Sequence, residues 1–150
     1  MKKTKILICG GRHFNDYDVF SEKVNAVFNE LGITREETEL VSGGCEGTDK
    51  MAERFAEENI IPIRVFSADW KKYGKAAGPI RNKQMVDYIK DSEERYVIAF
   101  TSDKTKGTRN TIKLAVKNGI EVFEFDYRSF VEIGENENNF VDHKYGLQKI

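Results

Sequence analysis

Apolar positions along the chain fall into two alternating rhythms. Short continuous runs at 5–9 ("KILIC"), 39–42 ("ELVS"), 61–66 ("IPIRVF"), 96–100 ("YVIAF") and 120–125 ("IEVFEF") predict buried strands. Pro62 stands at a strand start, where a missing N–H does least harm. Between these runs the spacing becomes helical. Phe20, Val24, Val27, Phe28 and Leu31 share one face, and Gly32 follows as a stop. Met51, Ala52, Phe55 and Ala56 mark a second helix. A third is predicted to begin at Gly78-Pro79, with proline at the first helical position, and to bury Met85, Val86 and Ile89. In a fourth, Thr108 is the expected N-cap, Ile112, Ala115 and Val116 form the stripe, and Gly119 ends it.

The order βαβαβαβαβ, with short continuous apolar strands, predicts a parallel sheet covered on both faces. Right-handed crossovers then narrow the fold class to α/β: a Rossmann-like, doubly wound, mainly parallel five-stranded sheet with helices on both faces. Residues 1–126 carry this rhythm as one ligand-binding domain. Residues 127–150 break it, with scattered apolar positions around a polar "GENENN" turn. They predict a C-terminal extension that packs on the domain or on a partner subunit. His143, within it, reads as a surface residue.

Charge and composition narrow the partners. The chain has 150 residues, 24 Lys+Arg against 25 Asp+Glu and a net charge of −1. That balance lacks the general basic face that nucleic-acid binding usually needs, so a nucleic-acid partner is not expected. The apolar runs are too short for a membrane span or a signal peptide, which predicts a cytoplasmic protein with no membrane partner. Two cysteines make no disulfide framework. Cys9 and Cys45 both end predicted strands, and His13 lies near the first. A metal centre needs three or four such ligands. The plainer reading is two small, half-buried thiols near a pocket floor, and no metal or cofactor is expected.

Ligands of an open parallel sheet sit outside the carboxyl ends of its strands. Four glycine-rich or polar segments occupy such positions. The first is Gly10-Gly11-Arg12 with Asp16. The second is Ser42-Gly43-Gly44 with Gly47, Thr48 and Asp49, where glycines permit a tight turn and a helix start presents free amides to an anion such as phosphate. It is neither a GxxxxGK[ST] loop nor a GxGxxG fingerprint. The third, "SADWKKYGKAAGPIRN", offers Trp70 and Tyr73 for stacking, small residues including Gly78 for close approach, and Lys75 and Arg81 as cations, with Asn82 following. Its structural alternative has Trp70 and Tyr73 plugging a loop while Arg81 pairs with an acid such as Asp69. In the fourth, Gly107-Thr108 repeats a glycine beside a helix start.

"GGRHFND", "VSGGCEGTDKMAERFA", "DWKKYGKAAGPIRNKQM" and "VIAF…GTRNTIKLA", in that order, resemble the YspA-type, YpsA-related branch of the SLOG superfamily over roughly residues 5–125. The resemblance implies a Rossmann-like domain that binds nucleotides or nucleotide-derived molecules, including ADP-ribose- and NAD-related ones. It implies a pocket built from Gly10, Gly11, Arg12, Ser42, Gly43, Gly44 and Asp49. Trp70, Gly78, Arg81 and Asn82 line another side, and Gly107 and Thr108 close it.

The related phosphoribohydrolases resemble PGGxGTxxE and RKxxM patterns. Here the first reads "DKTKGTRNT", which puts Thr111 at the glutamate position, and the second reads "RNKQM", which puts Asn82 at the lysine position. A hydrolase of that kind needs a carboxylate, and threonine cannot replace it. No catalytic residue is therefore assigned, although Asp16, Glu46 or Asp49 would have to serve if turnover occurs.

The leading expectation is a binder that senses or sequesters a nucleotide-derived, phosphoribose-containing signal. Arg12, Lys75 and Arg81 would hold phosphates, Trp70 or Tyr73 would stack, and Asp16 or Asp49 would bind ribose hydroxyls. By analogy with the superfamily, the setting is phage defence or counter-defence. The alternatives are an N-glycosidic phosphoribohydrolase-type enzyme and, next, a nucleic-acid-processing accessory protein. Relatives that pair helices across a symmetric interface lead us to expect a homo-oligomer.

Overall fold

The structure, a computed structural model, describes residues 2–128. In chain order the elements are β1 (Thr4–Gly10), α1 (Tyr17–Leu31), β2 (Thr38–Ser42), α2 (Thr48–Asn59) and β3 (Ile63–Val65). A short α3 (Trp70–Tyr73) and a 3-10 turn (Gly74–Ala76) lead into α4 (Ala77–Ile89), β4 (Glu94–Thr101), α5 (Lys106–Lys117) and β5 (Glu121–Asp126). The five strands are parallel and ordered β3-β2-β1-β4-β5. The chain winds outward from β1 to β3, then crosses back to lay β4 on the other side of β1. That reversal between β1 and β4 is the switch point of a doubly wound sheet.

Alternation along the strands divides the core into two layers. Ile6 and Ile8 of β1 pack with Phe20, Val24, Phe28, Met51 and Phe55, under α1 and α2. Leu7 and Cys9 face the other way, onto Met85, Val86, Ile89, Ile112 and Ala115 of α4 and α5. Phe20, Phe55, Phe100 and Phe125 are fully buried, and each such side chain stabilises the fold by about 1.5–3 kcal/mol. Helix α1 starts on Asp16, whose side chain accepts from the Val19 amide, and stops at Gly32, whose φ of 64° is a conformation only glycine adopts without strain.

Three local expectations are corrected. The run 61–66 is not a buried strand throughout: β3 is three residues at the sheet edge, and Val65 is 40% exposed. The four-residue α3 buries none of its own side chains. Helix α4 begins at Ala77, fed by the 3-10 turn, so Pro79 is its third residue. The missing N–H there is still one of the first-turn donors without an intrahelical partner, and the helix tolerates it. Thr108 is not an N-cap, because α5 starts two residues earlier with Thr105 at the cap. The Thr105 hydroxyl accepts from the Ser102 amide and donates to the Ser102 carbonyl, closing the preceding turn.

Tyr127, the first residue of the expected extension, belongs to the body of the domain. Its amide donates to the Thr101 carbonyl at 3.0 Å, and its ring stacks on Phe14 at 4.9 Å. The remainder of that extension, with His143, lies outside the described residues.

Candidate functional site

A cleft of about 270 Å³ opens at the carboxyl ends of β1 and β4, where the winding reverses. Its first wall is the turn Gly10–His13 after β1, and the facing wall is the start of α5, from Lys104 to Thr108 with Thr111 behind. Cys45 and Asp49 enter from the β2 side, Arg81, Asn82 and Met85 from α4, and Tyr127 closes one end. Cys9 lies at the base, where burial pushes its thiol well above the ordinary range and keeps it protonated.

The first wall is fastened to α2 through glycines. A Cβ on Gly10 would lie 2.5 Å from the Thr48 hydroxyl oxygen and 2.7 Å from the Phe100 carbonyl. One on Gly47 would lie 2.6 Å from the Gly11 carbonyl, and Gly47 has φ 75°. Across that close approach the Thr48 amide and hydroxyl both donate to the Gly11 carbonyl, at 3.2 and 3.0 Å. These two glycines let one backbone turn lie directly on another.

Two charged side chains are buried at the junction of β2, α2 and α4. Arg81 is 9% exposed. Its Nη1 donates to the Gly43 carbonyl at 2.5 Å, its Nε to Asn82 Oδ1 at 2.9 Å, and among the described residues its Nη2 meets only the Cys45 sulfur, at 3.9 Å. Among the described residues no carboxylate is its hydrogen-bond or ion-pair partner, although Asp49 lies near enough to feel its charge, so the alternative in which it pairs with Asp69 does not hold; the Asp69 carboxylate caps α3 through the Lys72 amide. Asp49 is 6% exposed; its Oδ2 accepts from the Cys45 amide at 3.0 Å, and its Oδ1 has no hydrogen-bond partner among the described residues. Burial raises this carboxyl to about 6, against the smaller opposing effects of the Cys45 amide and the Arg81 charge.

The facing wall carries positive charge. Helix α5 has no acidic residue in its first turn, and Lys104 and Lys106 flank its start. Cations there oppose the helix dipole, so an anion would relieve the clash. The helix is held in place from two directions. Asn82 Nδ2 donates to the Gly107 carbonyl and to Asn110 Oδ1, and Arg109 grips Glu124 through two bonds of 3.1 and 2.6 Å. Burial pushes the Glu124 carboxyl up, but Arg109 and the Thr101 hydroxyl outweigh it and hold it below the ordinary value.

The four sequence segments do not contribute equally. Gly10, Gly11 and Arg12, then Asp49, then Arg81 and Asn82, then Gly107 and Thr108 all line the cleft. Ser42, Gly43, Gly44, Gly47 and Thr48 stand behind it as support; Gly43 gives its carbonyl to Arg81, and the buried Ser42 hydroxyl contacts the Asp49 carbonyl oxygen. Asp16 caps α1 instead. Trp70 is 52% exposed and packs beside Gly78, while Lys75 lies in the exposed 3-10 turn. Tyr73 lines a separate depression of about 190 Å³ with Ser67, Asp69, Lys72 and Gln84, and Arg81 is the residue it shares with the cleft.

Sequence reasoning missed Met85, Lys104, Thr105, Lys106 and Tyr127 as cleft residues. Lys104 and Lys106 both stand just before the glycine of a segment already singled out, so their charge was a usable signal. Tyr127 follows β5 directly, as the cleft turn Gly11–His13 follows β1. Cys9, His13 and Cys45 do reach the cleft, but among the described residues no three His, Cys, Asp or Glu side chains gather as a metal centre. No helix among the described residues is long and apolar enough to cross a membrane.

Comparison with known proteins bears on this geometry. The model of the YspA, cpYpsA-related SLOG family matches residues 4–73. The Gene 61 protein of Mycobacterium phage D29 is 33% identical over 127 residues, covering 81% of this chain and 95% of that one. The chain belongs to this SLOG family. Among solved structures, DNA processing protein A (DprA) from Streptococcus pneumoniae superposes with a TM-score of 0.62 at 18% identity, over 96% of this chain and 55% of that one. That likeness establishes a shared fold, and this SLOG chain spans only about half of the longer DprA chain. A predicted subunit of tRNA methyltransferase from Methanocaldococcus jannaschii gives a TM-score of 0.43 at 16% identity over 87% of this chain and 75% of that one, too distant to carry an argument.

Proposed function

We propose that the cleft binds a nucleotide-derived small molecule, ADP-ribose-like or otherwise containing a phosphoribose, and that the protein senses or sequesters it. The observation that carries this reading is Arg81: a guanidinium nine-tenths buried, paired with no carboxylate, on a cleft whose far wall is a lysine-flanked helix start. Burying a cation without a direct ion pair is costly, the nearby Asp49 carboxyl offsets it only in part, and a ligand phosphate would add opposing charge. Phosphate is assigned to the amides at the start of α5, with Lys104, Lys106 and Arg12 beside them. The start of α2 suits it less well, because Asp49 already sits in that first turn and the Thr48 amide is engaged. The open Oδ1 of Asp49 is assigned to a ribose hydroxyl, and the Tyr127 ring to the wall against which a sugar or base lies.

The similarity to a phage protein supports a role in counter-defence signalling, and self-association, which would cover exposed Ile60, Val65 and Trp70, is proposed with it. Calorimetry on the purified chain with AMP, NAD, ADP-ribose and cyclic ADP-ribose isomers tests the reading. At least one phosphorylated compound binds, and Arg81→Met weakens it about 100-fold or more, the loss expected for charge-assisted hydrogen bonds. No binding by any of them at millimolar concentration overturns the proposal.

A second reading, hydrolysis of an N-glycosidic bond, is favoured by the state of Asp49. A buried carboxyl raised to about 6 that lines the cleft is placed to take a proton from water as the base departs. The water oxygen bonds to the anomeric carbon as the carbon–nitrogen bond breaks, and Asp49 passes the proton on to the departing base. This reading requires that Asp49→Asn bind the compound and release no base, with wild type releasing it; intact ligand recovered from heated wild-type complex rules it out. The nucleic-acid alternative, the class of work carried by the fold neighbour DNA processing protein A, requires salt-sensitive binding of single-stranded DNA.

A further inference from the structure

The buried Arg81 side chain forms a wall common to two hollows, the cleft at the switch point and the smaller depression beside α3. The geometry points to a ligand of two lobes joined by an anionic bridge, such as a pyrophosphate, with the bridge against Arg81 and one lobe in each hollow. This rests on the nucleotide-binding reading of the cleft and extends it to the class of molecule.

Three observations support it. Arg81 Nη1 donates to the Gly43 carbonyl and Nε to Asn82 Oδ1, which leaves Nη2, a nitrogen with two donors, with the Cys45 sulfur alone as partner among the described residues. A bridging diphosphate would supply acceptors there. The smaller depression is polar and furnished for a sugar or base: Ser67, Asp69 and Gln84 offer hydrogen bonds, and the Tyr73 ring, 39% exposed, offers a face. Asp69 and Lys72 are fixed there, because the Asp69 carboxylate accepts from the Lys72 amide at 3.1 Å. Tyr73, which lies outside the main cleft, thereby acquires a place in recognition.

A one-lobe compound and a two-lobe compound separate the possibilities. Calorimetric titrations of the full chain with AMP and with ADP-ribose compare wild type, Gln84→Trp, which fills the smaller depression, and Tyr73→Ala, which removes its ring. Melting curves establish that the variants fold. The expected result is ADP-ribose binding at least tenfold tighter than AMP in wild type. Both variants erase that advantage and leave AMP within twofold. Equal affinities in wild type, or equal losses for both compounds, overturn the two-lobe arrangement while leaving a mononucleotide site intact. If neither compound binds, the underlying nucleotide reading falls, and this inference with it.

Discussion

Gly107→Ala separates what α5 needs from what a ligand needs. Gly107 is the second residue of α5, its φ lies outside the left-handed region, and a Cβ built on it meets nothing within 4 Å. Its carbonyl, which accepts from Asn82, is untouched by the substitution. Alanine therefore fits, and by removing glycine's excess freedom in the unfolded chain it stabilises the helix by about 0.5–1 kcal/mol. For a chain of this length, that raises Tm by about 1–4 °C. A phosphate that approaches the amides at the start of α5 would meet the added methyl at the residue where the backbone is barest. Nucleotide affinity then falls about tenfold, some 1.4 kcal/mol, while stability rises. Differential scanning fluorimetry and calorimetry on the same preparation read both quantities. A lower Tm means the glycine is structural, and a higher Tm with affinity unchanged within twofold means that no ligand comes to this wall.

Other substitutions test other parts of the account. Gly47→Ala places a methyl 2.6 Å from the Gly11 carbonyl at a φ of 75°, so urea unfolding registers a loss of about 2–4 kcal/mol; a loss below 0.5 kcal/mol contradicts the tight approach of the two turns. Asp49 rises from 3.8 to about 6 on folding, so the native state holds its proton more tightly. Stability falls as pH rises through that window, and above about pH 6 ionisation has cost about 3 kcal/mol. Asp49→Asn is accordingly more stable than wild type at pH 8 and no more stable below pH 4, and melts showing no such pH-dependent gap refute the assignment. Ile60 holds φ 54° while 90% exposed, and Ile60→Gly raises stability by about 1 kcal/mol in the same urea assay; a decrease would show packing that the structure lacks. Light scattering at micromolar concentration yields a mass above that of one chain if the protein self-associates, and a monomer refutes that expectation.

The strands of the centre were the most legible part of the sequence, because a strand buried on both faces is a continuous apolar run. β1 and β4 read directly, and their glycine-rich sequels marked the cleft. β3 read poorly for the same reason: "IPIRVF" has the composition of a central strand, and only its place in the topology makes it an exposed edge. The start of α5 was misplaced by three residues, with Thr108 as the cap, because Thr105 also has a hydroxyl and the choice between them depends on where the Ser102 turn closes. Within the site, Gly10 and Gly47 were recognised as glycines that matter, but their tightest neighbours are each other's turns. Trp70 carried the strongest stacking signal in the sequence and is half exposed outside the cleft, since α3 is too short to turn it inward.

The interlocked turns give the cleft an asymmetric mechanics. With the Gly11 carbonyl held by both donors of Thr48, and Gly47 lying against Gly11 and Arg12, the loops after β1 and β2 move as one piece. A visitor finds that side already in its final shape and loses little entropy in ordering it. Any adjustment during binding falls to the other side, where the stretch from Ser102 to Thr105 is closed by a turn of its own. Association is then governed by encounter with a standing surface, and differences in affinity between compounds appear mainly in how fast each one leaves.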